Sequence, residues 1–243
     1  MRCMNLGFLT ALCVAFFTVS TAPTLAADAP INTLTKQEKA DGWKLLFDGQ
    51  SLEGWMSWRT KEPLEKGKWN VVDGALSLTE KGAGDIYTKD SFENFEFVIE
   101  WKTTGNSGLL IRVDPTAKGA IYSVAPEVQI ERSLGKGSTS AGGLYALYEI
   151  EGEKVLQPDG WNHYRIKMVD GHGIHWLNGV KLYEYTIGSD DWKDRVANSK
   201  FKGKLDAFGM NAKGHIGLQD HGAKVAFRNV KIRHLPSKTA EKK

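Results

Sequence analysis

Phe95-Glu96-Phe97-Val98-Ile99-Glu100-Trp101 alternates with a period of two, with Phe95, Phe97, Ile99 and Trp101 on one side and Glu96, Val98 and Glu100 on the other. Successive side chains of an extended strand point to opposite faces, so the first set is core and the second turns away from it. Short segments of the same kind, rich in aromatic and β-branched residues, recur at 69–72, 109–113, 128–130, 164–169, 174–177, 181–185, 215–218 and 225–232. Asp73-Gly74 and Asn178-Gly179 each sit between apolar runs, which is the strongest short hairpin signal. Only 190–197 reads as helical. Many short strands without a sustained helical period predict an all-β, antiparallel sandwich of the jelly-roll kind in a single domain.

The composition sets the outer limits. With 243 residues, 41% hydrophobic and 25% charged, the chain is too apolar for disorder and too polar for a membrane bundle. A net charge of +3 gives no electrostatic reason to expect nucleic acid. Arg2, the apolar run 6–19 and the small residues around Ala26 read as a signal peptide over 1–27, which predicts export to the periplasm or beyond the cell. The run is shorter than the roughly 20 residues of a membrane span. Leu12 immediately before Cys13 argues against a lipid anchor. Cys3 and Cys13 both fall in this leader, leaving the rest without a disulfide, a thiolate metal site or a cysteine nucleophile. Residues 28–40 read as a polar tail, 41–235 as the domain and 236–243 as a charged tail.

The same alternation sorts the polar residues. In Glu127-Val128-Gln129-Ile130-Glu131, burying Val128 and Ile130 puts Glu127, Gln129 and Glu131 together on the opposite face. Leu109, Ile111 and Val113 likewise alternate against Gly108, Leu110 and Arg112, and Gln219 with His221 point one way from the strand before them. A sandwich with one polar, aromatic-rimmed sheet face has the shape of a carbohydrate site. Trp43, Trp69, Trp101 and Trp176 suit the core, while Trp55, Trp58, Tyr145 and Trp161 lie near loops and could stack on a sugar ring. Bland readings stand beside these: a solvated carboxylate face, an exposed Arg112 ion pair, a turn histidine at His221. The glycine-rich 135–143 lacks the spacing of a phosphate loop and reads as a mobile loop bordering the site.

Together the pieces resemble the 3-keto-disaccharide hydrolase family, also described as 3-keto-glucoside lyase and hydratase. The matching residues are Gly42 to Gly49 with 52–55, Trp69 to Gly74, 95–102, Gly105 to Arg112, Glu127 to Ile130, Trp161-Asn162, Leu177-Asn178-Gly179, Gly217 to Gly222 and Phe227 to Val230, in order over 42–235. Glu131 stands where the family pattern suggests Asp, and 189–209 forms a long insert. The resemblance implies a concanavalin A-like jelly roll. It also implies cleavage of 3-keto-glucosides by elimination across carbons 1 and 2, then hydration of the resulting glycal. Such chemistry needs a base at carbon 2, donors for the enolate oxygen and an acid for the leaving group. Glu127 and His221 are the candidates for base and acid, Arg112 and Asn106 for holding the enolate or neighbouring hydroxyls, and Glu131, Glu100, Gln129 and Gln219 for a polar floor. A separate sugar 3-dehydrogenase would supply the keto sugar. No cofactor is implied; carboxylates on a sheet face are ligand types for a hard divalent cation such as Ca²⁺, but no loop has a recognisable ligand spacing. Two other classes fit the same sandwich. One is a non-catalytic glycan-binding module. The other is a conventional glycanase, disfavoured because Gln129 stands where a retaining enzyme would carry a carboxylate.

Overall fold

The computed structural model describes residues 30–150, 155–204 and 206–238. In chain order the strands are β1 (Lys44–Leu45), β2 (Trp55–Ser57), β3 (Trp69–Val72), β4 (Ala75–Leu78), β5 (Ile86–Thr88), β6 (Phe95–Thr103), β7 (Ser107–Val113), β8 (Glu127–Ile130), β9 (Asn162–Val169), β10 (His172–Leu177), β11 (Val180–Thr186), β12 (His215–Leu218) and β13 (Val225–His234). They pair antiparallel into two sheets: β11-β10-β9-β6-β13-β4-β3, with β1 also on β13, and β2-β5-β12-β7-β8. This is the expected all-β sandwich. Phe95, Phe97, Ile99 and Trp101 are at most 2% exposed and meet Leu109, Ile111, Val128 and Ile130 of the smaller sheet in one core. At both hairpins the Asp-Gly and Asn-Gly pairs have positive φ (Asp73 49°, Gly74 73°; Asn178 48°, Gly179 86°), the left-handed pair of a tight hairpin turn.

Three expectations need correction. Residues 30–40 are not a frayed tail. The Asn32 amide donates to Asn229 Oδ1, the Asn229 amide to Asn32 Oδ1, and a capping box at Thr35 and Glu38 starts α1 (Lys36–Ala40). The leader, 1–27, lies outside the described residues. The tryptophans are also sorted differently: Trp55 is core at 1% exposure, whereas Trp43 and Trp176 lie on the outer face of the larger sheet beneath the guanidinium groups of Arg233 and Arg165. Trp58 carries Lys61 over its ring. Arg112 breaks the alternation of β7. It has φ 57°, and the pairing with β12 shifts between His215↔Val113 and Gly217↔Leu110, so this is a β-bulge. Beyond it Val113 joins Leu110 in a small apolar cluster with Tyr87, Ile121 and Ala125. Arg112 instead is 6% exposed, donates from Nη1 to the Gly209 carbonyl at 2.9 Å and lies near Tyr185.

The core holds one polar network. His175 is fully buried, with Nδ1 3.0 Å from the Tyr164 hydroxyl and 3.3 Å from that of Tyr183, and Nε2 2.9 Å from that of Tyr185. Tyr164 and Tyr183 both donate to the Gly142 carbonyl, at 2.8 and 2.9 Å. Each hydroxyl has one proton, so Nδ1–H donates to those two oxygens and Nε2 accepts from Tyr185. A neutral imidazole satisfies every partner, and burial lowers its pKa from 6.5 to about 3. The unfolded chain takes up a proton below about pH 6.5 that the folded chain refuses, so this histidine removes stability as pH falls from there toward 3. Urea unfolding at a series of pH values should show that loss, with a shallower acid slope in His175→Gln.

Candidate functional site

The smaller sheet brings distant pieces of the chain to one face. Gly108 pairs with Gln129 and Leu110 with Glu127. On the other side of β7, the Gln219 amide donates to the Gly108 carbonyl at 2.9 Å, carrying the β12 ladder one residue past the strand. Leu218 pairs with Ile86, so the same step puts Gln219 beside Asp85. A row therefore crosses four strands: Asp85, Gln219, Gly108, Gln129. Gly108 is the gap in it. A Cβ there would lie 2.5 Å from Glu127 Oε1, so the carboxylate of the adjacent row occupies the space a side chain would take.

A cavity of about 280 Å³ opens over this row, lined by Asp85, Asn106, Tyr122, Glu127, Gln129, Tyr145, Lys200, Gln219, Asp220 and His221. That lies near the small end of the roughly 300–1,000 Å³ typical of ligand pockets. Its polar floor is buried: Glu127 is 6%, Gln129 3% and Gln219 4% exposed. Gln129 donates to Asn106 Oδ1 at 3.1 Å, and the Gln219 side chain hydrogen-bonds the Glu127 carboxylate. The Asp220 carboxylate accepts from the amides of Gly84 and Gly222, while its own amide donates to Asp85, fixing the turn that carries His221 at the rim.

The walls come from outside the sheet. Residues 142–145, a turn bridged to Val128 at Leu144, hydrogen-bond along the edge of β8: Gly142 N to Gln129 O, Gln129 N to Gly143 O and Tyr145 N to Glu127 O, at 2.8 to 2.9 Å. The end of the glycine-rich stretch, Gly142-Gly143, is thus bonded to the sheet edge. The tyrosines around His175 hold its Gly142 carbonyl from the core side. The insert 189–209 supplies Lys200. Its helix α2 (Asp190–Ala197) is capped by Ser189, and Trp192, Val196, Phe201 and Phe208 are buried, with Phe201 stacked on Phe208 at 4.0 Å.

Asn106, Glu127, Gln129, Tyr145, Gln219 and His221 therefore meet in one cavity; the alternation had grouped only Glu127 with Gln129 and Gln219 with His221. Four other expected site residues lie elsewhere. Glu100 is on the outer face of the larger sheet, accepting from Arg228 and Asn229, and Trp161 sits under the same Arg228. The alternation turns Glu100 away from the core without saying which sheet it belongs to, and Trp161 is placed by sequence only near a loop. Arg112 is turned inward by its bulge. Glu131 follows the end of β8, and its carboxylate accepts from the Arg132 amide. Sequence reading missed Asp85, Asp220, Tyr122 and Lys200. Asp85, Tyr122 and Lys200 lie in no alternating run that marks a face; alternation puts Asp220 opposite Gln219 and His221, but the strand ends at Leu218 and the turn after it brings all three to the cavity.

Burial raises the pKa of Glu127 from 4.5 to about 7, with the charge of Asp85 adding to the shift and Lys200 and Gln219 opposing it. Asp85 is raised from 3.8 to about 6, again chiefly by burial. Both shifts move these carboxyls toward neutrality, where a group can both give and take a proton. Among the described residues, no group of three or more His, Cys, Asp or Glu side chains is placed to share a metal ion.

A family profile, the 3-keto-alpha-glucoside-1,2-lyase-like domain, matches residues 42–233. The chain belongs to this family. A 3-keto-disaccharide hydrolase of Bacteroides thetaiotaomicron is 30% identical, covering 85% of this chain and 83% of that one. A crystal structure from Parabacteroides distasonis, provisionally named a glycosyl hydrolase, is 34% identical with a TM-score of 0.77, covering 85% of this chain and all of that one. A second structure so named from that organism is 29% identical with a TM-score of 0.62, covering 79% and 99%. Membership of the family makes the chain a hydrolytic, carbohydrate-active enzyme. Among the described residues no helix is long and apolar enough to cross a membrane.

The raised carboxyl has a measurable signature. Folded Glu127 holds its proton more tightly than the unfolded chain does, so its contribution to stability is complete below about pH 4.5 and is lost as pH rises through about 7. Glu127→Gln should therefore melt higher than the parent at pH 8, by a few degrees at about 2–4 °C per kcal/mol. At pH 4.5 the gain should vanish.

Proposed function

We propose that the protein is exported and cleaves the glycosidic bond of 3-keto-glucosides by elimination across carbons 1 and 2, then hydrates the resulting glycal. The observation that supports this reading is the Glu127 carboxyl, buried over Gly108 with its pKa near 7 and facing a cavity the size of a small ligand. A general base is most effective when its pKa lies near the working pH. A ketone at carbon 3 acidifies the hydrogen on carbon 2, which brings that C–H within reach of a carboxylate.

In this reading Glu127 removes the carbon 2 proton, and the C–H electron pair moves into an enolate ending on the carbon 3 oxygen. The pair then returns, carbon 1 and carbon 2 become doubly bonded, and the glycosidic oxygen leaves with its bonding pair. His221, at the open rim, protonates the leaving oxygen. His221, left without its proton, then takes one from water as the water oxygen bonds to carbon 1, and Glu127 returns its proton to carbon 2, so both groups regain their starting states and the net reaction is hydrolysis. Asn106 and Gln129 hold sugar hydroxyls, and Tyr145 covers one side of the ring. A separate sugar 3-dehydrogenase supplies the ketone, because the unoxidised sugar lacks the acidic hydrogen. Arg112, sealed inside the sandwich, does not touch the substrate.

The test supplies a 3-keto-glucoside and its unoxidised parent and follows both by chromatography. Only the keto sugar should disappear, and in D₂O the released 3-keto sugar should carry deuterium at carbon 2. Glu127→Gln should lose about 10²–10⁴-fold in turnover, and kcat/KM of the parent enzyme should climb with pH through a limb near 7. Equal consumption of the unoxidised sugar would overturn the reading; binding of both sugars without turnover would make the protein a glycan-binding module. Fractionation of the producing cells should find the chain, shortened at its N-terminus, outside the cytoplasm.

A further inference from the structure

With Arg112 sealed inside, the enolate needs another cation. We propose that Lys200 is a catalytic residue whose ammonium group meets the carbon 3 oxygen of the keto sugar and neutralises the negative charge that builds there. The proposal rests on the function proposed above and assigns the part of that chemistry it left open.

Four observations carry it. Lys200 lines the same cavity as Glu127. Its Nζ stands 3.9 Å from the centre of the Tyr145 ring, 5.1 Å from that of Phe201 and 5.8 Å from that of Tyr122. A cation over an aromatic face is held by the ring's quadrupole without being neutralised, and geometries within about 6 Å contribute. Lys200 also makes no ion pair with any described carboxylate, unlike Lys181, Lys193 and Lys231. Its charge already acts on Glu127, opposing the upward shift caused by burial. An unpaired cation facing a buried base is what a reaction needs when it moves negative charge from that base onto the substrate.

The fold fixes this cation in place. Lys200 follows α2 and precedes Phe201, whose ring stacks on Phe208 and whose amide is held by Ser199 Oγ. At the far end of the insert Gly209 donates to the Val124 carbonyl and accepts from Arg112. Arg112 is thus a positioning residue, anchoring the segment that delivers Lys200. The other charged or titratable groups facing the same cavity are Asp85, Glu127, Asp220, His221, Tyr122 and Tyr145.

In the enolate step the ammonium keeps its three protons and hydrogen-bonds the oxygen as its charge grows; when the electron pair returns and the C=O re-forms, the bond weakens again. No proton or electron is gained or lost at Lys200. A group that acts on charge appearing only in the transition state raises kcat more than it lowers KM.

The experiment starts from the full chain turning over a 3-keto-glucoside. Absence of that turnover would overturn the function and not this assignment in particular. Given turnover, Lys200→Met keeps the stem over Tyr145 and removes the charge. It should cut kcat about 10²–10³-fold, slow carbon 2 deuterium exchange in parallel and move the ascending pH limb upward, because Glu127 loses a nearby cation. Lys200→Arg should restore part of kcat and return the limb toward its original position. Retained kcat with a raised KM would make Lys200 a binding residue only and overturn the proposal, as would lost turnover with an unmoved pH limb. Thermal melting reads folding separately, and the exposed Lys200 side chain should leave it nearly unchanged.

Discussion

The site depends on one strand being dry on one face and polar on the other. Val128 and Ile130 are buried in the main core, and the two-residue period then forces Glu127 and Gln129 onto the opposite face. There the strand gains a second cover. The 142–145 segment bonds along its edge, and Gly108 leaves room for the carboxylate across the sheet. Glu127 is therefore removed from water without being paired to a cation, and its pKa rises as a result. A glutamate on an ordinary solvated strand would keep its usual value and have little basicity near neutrality.

The core on the other side of the sandwich contributes to the same end. Tyr164 and Tyr183, organised by His175, both hold the Gly142 carbonyl. That residue's amide is bonded to Gln129. The polar network thus reaches from the larger sheet, through the hydrophobic interior, to the edge that carries Tyr145. Buried polar networks of this kind are costly unless every member is satisfied, and the tautomer that satisfies this one leaves the imidazole uncharged. The bulge at Arg112 is a second such link. By turning a guanidinium inward to Gly209 it joins β7 to the insert, so the strand that leaves room for Glu127 also anchors the segment bearing Lys200.

Asp85 and Glu127 come from segments 42 residues apart and share a cavity in which neither has a salt-bridge partner among the described residues. The acidic residues on the larger sheet's outer face contrast with them. Glu96 is as buried as Glu127, but Arg165 and Arg233 both reach it, and Glu100 is bound by Arg228. The two faces carry similar residues with opposite consequences: paired carboxylates brace the outer sheet, while unpaired ones in the cavity exchange protons near neutral pH.

The sequence by itself determined the architecture and half of the cavity. Alternation in 95–101 and 127–131, with two Asn-Gly or Asp-Gly turns, was enough to set the strands, their buried faces and the grouping of Glu127 with Gln129, because a strand's period is a local property of the backbone. Gln219 followed from the same rule one residue past β12, whereas His221 reaches the rim from the turn held by Asp220. The tertiary structure decided which sheet each polar face belonged to, and so separated Glu100 and Trp161 from a site they seemed able to join. It also decided what a single left-handed residue does to the register, which moved Arg112 inside. Asp85, Asp220, Tyr122 and Lys200 reach the cavity from a strand start, a turn, a short 3₁₀ segment and an insert. Their side-chain directions come from long-range packing, not from any period in the chain, so only the assembled sandwich could reveal them.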